Sequence, residues 1–161
     1  MKPTSGILRA AALVAFAVLL ASPASAELSP DWFGTWHLDV AHSTFNPGPS
    51  PYARGTWKVE RGPDDQVVMI YDQVGKRGGV THMEWKGRFD GTDHRLQGPD
   101  ALVTYAYSQL DERTLSLIVK VDGLPAAAAK VVLSPQGTVT ATTESRTARG
   151  PVTTVTVYEK R

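Results

Sequence analysis

The chain has 161 residues, with 17 Lys and Arg against 16 Asp and Glu, a formal charge of +1, and no cysteine. Lys2 and Arg9 both precede a long apolar run, so the remainder is close to neutral and has no basic block, and the electrostatic footprint of a nucleic-acid binder is missing. Neither a disulfide framework nor a thiolate metal site can form, which leaves stability to packing and hydrogen bonding.

The two basic residues, the run "AAALVAFAVLL" and the small-x-small ending Ala24-Ser25-Ala26 have the order of a secretory leader. The run is shorter than the roughly 20 residues a bilayer-spanning helix needs, and no second candidate follows, so no membrane insertion is expected. The reading is a signal peptide over residues 1–26, cleavage near Ala26, and one domain over residues 27–161 exported to the periplasm or beyond.

After the leader, helical periodicity is nearly absent, while short runs rich in Val, Thr, Tyr and Trp recur between turn-forming clusters. "FGTWHLD" is the first strand, "VAHSTF" a single turn, and "NPGPSPYA" an extended surface connection stiffened by Pro47, Pro49 and Pro51, which is the best candidate for a lid. In "RGTWKVER", Trp57 and Val59 alternate with Thr56, Lys58 and Glu60, as in a half-buried strand. "QVVMIYDQV" follows, and "GKRGG" turns the chain into "VTHMEWKGRFD", where Thr81, Met83, Trp85 and Phe89 share the inward face opposite His82, Glu84, Lys86 and Arg88. Asp90-Gly91 is expected to make a tight hairpin, "HRLQ" a short strand, and five further strands complete the series, ending on "PVTTVTVYEK".

A meander of about eight to ten twisted strands removes two adhesive edges most simply by closing on itself, so the expected fold is an all-β, antiparallel up-and-down barrel. Gly34 lets the chain bend into the first strand, and Trp36 can plug one end of that barrel.

"FGTWHL" resembles the Gly-x-Trp opening of the calycins, the group of lipocalins and fatty-acid-binding proteins, and "VYEK" is similar to the closing strand of the latter. Taken together, the two ends resemble small secreted bacterial proteins of a lipocalin-like kind. The resemblance implies a basic residue of the last strand, Lys160 or Arg161, lying over Trp36. It departs at Thr156, where fatty-acid-binding proteins place an Arg two residues before the closing Tyr to hold the ligand carboxylate, and in lacking their paired lid helices.

No catalytic residue is assigned, and the protein is not expected to be an enzyme. Ser43, Ser108 and Ser116 lack a nucleophile-elbow context, and no glycine-rich phosphate loop opens a helix. The pairs His82 with Glu84 and His37 with Asp39 each share a strand face, but zinc takes three or four ligands, so they read as a solvated outer wall and no metal or cofactor is expected.

The inward set Trp57, Met69, Met83, Trp85, Phe89, Tyr105, Tyr107 and Tyr158 supplies the candidate cavity walls. Tyr hydroxyls and Met sulfur suit a flexible, mostly apolar ligand with a polar end. The expected function is therefore an exported protein holding a small hydrophobic molecule inside the barrel. The alternative is a filled barrel without ligand that presents the Asn46–Gly55 loop to a protein partner, in the manner of an inhibitor.

Overall fold

The computed structural model describes residues 28–161, and the expected leader lies outside them. A 3₁₀ turn (Pro30–Trp32) precedes ten strands: β1 (Gly34–Thr44), β2 (Tyr52–Arg61), β3 (Val67–Gly75), β4 (Val80–Gly87), β5 (His94–Gln97), β6 (Val103–Asp111), β7 (Thr114–Val121), β8 (Leu124–Leu133), β9 (Thr138–Thr147) and β10 (Gly150–Lys160). Each strand pairs antiparallel with its neighbours in sequence, and β1 also pairs with β10, which closes the sheet into an up-and-down barrel.

The seam between β1 and β10 pairs Trp36 with Lys160 and Leu38 with Tyr158, and then breaks register between Asp39 and Thr44. The expected turn at "VAHSTF" is corrected by this region, which stays in the strand as a bulge. The Asp39 carboxylate accepts from the amides of Ala41 and His42, and Ser43 Oγ accepts from Val157 N at 2.9 Å, supplying the partner that the interrupted ladder withholds.

Alternation decides which face of each strand is buried, and register decides depth. Val59, Met69, Trp85 and Leu96 are successive partners across β2, β3, β4 and β5, forming a fully buried row near one end. Two residues along the same strands, about 7 Å away, Trp57, Tyr71 and Met83 form the next row toward the other end.

The first end is closed. Trp36 is 0% exposed and donates its indole N–H to Trp32 O at 2.9 Å, while Trp32 donates its own to Glu112 O at 3.0 Å. The 3₁₀ turn is thereby clamped over the barrel, with Arg113 reaching Asp31 at 2.9 Å. Lys160, of the two basic residues named, is the one over the Trp36 ring, 4.9 Å from its centroid.

One expected connection differs. Asp90-Gly91 does not make a tight hairpin: β4 ends at Gly87, and Phe89 and Asp90 belong to the connection to β5, with Asp90 bridging to Ser108. Gly87 ends the run of inward side chains because a Cβ there would lie 2.5 Å from His94 Cδ2 and 2.6 Å from Trp85 Cζ2. The Asp-Gly pair that does form a two-residue hairpin is Asp122-Gly123, both at positive φ, between β7 and β8.

Candidate functional site

The end opposite the 3₁₀ turn is open and leads into a cavity of ≈ 350 Å³. Its asymmetry comes from side-chain size. The inward residues of β8 run Ala129, Val131, Leu133 toward the closed end, and their β9 partners run Thr143, Ala141, Val139. Leu133 and Val139 are fully buried and fill the bottom, whereas Ala129, Ala141, Thr143, Thr154 and Thr156 leave the upper half empty on that side. The opposite wall, from β2, β3 and β6, is aromatic.

Of the residues expected to line a cavity, Trp57, Met83, Tyr105, Tyr107 and Tyr158 do so. Met69, Trp85 and Phe89 do not, which corrects the expectation for those three. Met69 and Trp85 lie on the correct face but in the filled row below. Phe89, beyond the end of β4, stacks on Trp85 at 6.1 Å and meets Tyr107 edge-on at 6.0 Å. Gly34 and Trp36 belong to the closed end, as expected.

Sequence reasoning passed over Tyr71 and Gln73, although they continue the alternation Val67, Met69 of β3, and it passed over the small-residue wall. It also passed over Trp32, whose burial depends on the 3₁₀ turn rather than on any strand pattern.

The proline segment is shorter than expected. Tyr52, Ala53, Arg54 and Gly55 lie in β2, so only residues 45–51 form the connection. It is pinned at the mouth: Ser50 Oγ accepts from Tyr52 N and donates to Tyr52 O, both at 3.0 Å, and Pro51 O accepts from Lys76 N. Phe45, Pro51 and Tyr52 form the upper rim of the cavity, with Phe45 and Tyr52 edge to face at 6.0 Å.

Inside, Trp57 stacks on Tyr71 (6.1 Å between centroids, 6° between planes) and meets Tyr158 edge-on at 5.9 Å. The hydroxyls of Tyr71 and Tyr107 are 2.8 Å apart. One phenol donates to the other, and Met69 Sδ, 3.2 Å from the Tyr71 hydroxyl, is a second acceptor within reach of Tyr71. Burial, which penalises the phenolate, raises Tyr71 well above the ordinary value and raises Tyr107 and Tyr105 as well. Tyr158 is pushed up to about 12, mainly by burial and partly offset by its hydrogen bond with Thr156. The wall is therefore neutral at any physiological pH.

The histidine pairs are placed on the outside. His82 Nδ1 lies 2.6 Å from Asp72 across the β3–β4 ladder, and Glu84 pairs with Lys86 at 2.6 Å. Asp39 is engaged by His42 at 2.6 Å rather than by His37, which lowers the Asp39 carboxyl and raises the His42 imidazole. Among the described residues, no group of three or more His, Cys, Asp and Glu could hold a metal ion.

No known sequence family and no curated protein matches this chain. Among solved structures, a mutant of the fluorescent protein UnaG is similar with a TM-score of 0.54 at 14% identity, over 81% of this chain and 96% of that one. The fold is calycin-like. At that identity the likeness speaks for the ten-stranded barrel architecture alone, and the contents of the cavity must be argued from this chain's own residues.

Proposed function

We propose that the protein is an exported carrier holding one small, mostly apolar molecule in the upper half of its barrel. The observation that carries the reading is the cavity: ≈ 350 Å³, open at one end, within the roughly 300–1,000 Å³ usual for small-molecule sites. A filled core would serve stability better, since empty space forfeits dispersion contacts. Export is supported by the basic, apolar and small-residue order of residues 1–26.

The open cavity favours this reading over the alternative of a filled, ligand-free barrel that presents the Asn46–Gly55 segment to a protein partner.

The test is a titration of apolar compounds followed by Trp emission and thermal melting, in the wild type and in Ala141→Phe, which projects a ring into the void. A carrier predicts a shifted emission and a raised melting temperature in the wild type, lost in the variant while its circular dichroism is unchanged. Equal responses in both proteins, or none in either, would contradict it.

A further inference from the structure

All five tyrosines of the chain, Tyr52, Tyr71, Tyr105, Tyr107 and Tyr158, line this one cavity. The other polar groups on its walls are Gln73 and three threonines, and no charged side chain lines it among the described residues. Were the cavity only an apolar hole, Phe would serve in place of Tyr without the cost of burying hydroxyls. Phenol hydroxyls in a wall without charge suit hydrogen bonding to a neutral partner.

The hydrogen bonding of one pair sharpens this. The hydroxyls of Tyr71 and Tyr107 share one bond, so one of their two protons is committed within the wall, and Met69 Sδ in the filled row toward the closed end is a further acceptor for Tyr71. The pair keeps oxygen lone pairs as acceptors for an O–H or N–H donor. A bound carboxylate would meet no cation among the lining residues.

We propose that the cavity selects uncharged molecules over anions, taking an apolar, ring-containing body with a hydroxyl or amide-type donor directed at the Tyr71–Tyr107 pair and discriminating against fatty-acid and other organic anions. The proposal rests on the carrier reading and adds to it the charge and polarity of the occupant. Thr156 is the position that matters most for charge. It stands on β10 between Thr154 and Tyr158 on the cavity wall, so a cation there would reach the site from the small-residue wall.

The experiment compares two fluorescent probes of one skeleton on the full-length mature protein at low salt: anilinonaphthalene and its sulfonate. The uncharged probe should bind at least about tenfold more tightly than the sulfonate, the order expected when a buried charge lacks its partner. In Thr156→Arg the gap should narrow or reverse, and if that variant does not fold, the wild-type comparison decides by itself. A sulfonate binding the wild type as tightly as the neutral probe overturns the charge selection while leaving the carrier reading in place. Failure of both probes to bind overturns both readings.

Discussion

Trp36 and Lys160 are direct partners across the seam that closes the barrel, and the Lys160 ammonium lies 4.9 Å from the centre of the Trp36 indole while donating to Asp31 O. Gly34 makes this possible. It sits at φ +131°, and a Cβ at that position would lie 3.0 Å from Lys160 Cε, in the path of the lysine stem. The opening glycine, the tryptophan two residues on and the closing lysine are thus one device, sealing the first strand to the last beneath the 3₁₀ turn.

Lys160→Met keeps the stem and removes the charge. It should lower stability by about 0.5–1 kcal/mol, the value of a cation over an aromatic ring at an exposed site, read as a shift in urea midpoint with an unchanged slope. No shift would mean that the seam is held by its ladder alone.

Gly87→Ala should cost about 1–3 kcal/mol by overpacking, because the added methyl meets the rings of both Trp85 and His94. The same urea titration checks it, with near-ultraviolet circular dichroism reporting the displaced Trp85. An unperturbed protein would show that the β4–β5 connection yields easily.

Tyr71→Phe leaves the Tyr107 hydroxyl without its partner and should destabilise by about 1–3 kcal/mol. In Tyr107→Phe the Tyr71 hydroxyl still has Met69 Sδ within reach, so that variant should cost less. The double variant should cost less than the sum of the two, because the bond between the phenols can be lost only once. Strict additivity in thermal or urea unfolding would contradict the shared hydrogen bond.

At alkaline pH the buried phenols set the sign. Folding raises Tyr71, Tyr105, Tyr107 and Tyr158 above the ordinary value of 10.0. Above pH 10 the unfolded chain releases protons that the folded chain retains, so stability is full below that pH and falls as pH rises through the folded values. Phenolate absorbance of the native protein should lag behind that of the urea-unfolded protein across this range. Coincident titration curves would show the tyrosines to be solvated.

Much of the architecture was legible because alternation marks faces. Trp57 with Val59 and Met83 with Trp85 point inward as their spacing demands. Depth was less legible, since alternation assigns Met69 and Tyr71 to one face without saying that the first lies in the packed row and the second on the cavity wall. That information comes from cross-strand register, which depends on turns and on the bulge after Asp39. The cavity itself is written in the gradation Ala127, Ala129, Val131, Leu133 along β8, a signal of side-chain volume that a reading by hydrophobicity passes over.

The most direct test of a carrier is chemical-shift mapping of the wild-type protein as anilinonaphthalene is added. An occupant inside the barrel predicts perturbations at Tyr71, Tyr105, Ala129, Ala141 and Thr156, with Trp36 and Leu115 at the closed end little changed. Shifts confined to outward residues such as Ile118 and Leu124, or no shifts at saturating probe, would contradict it.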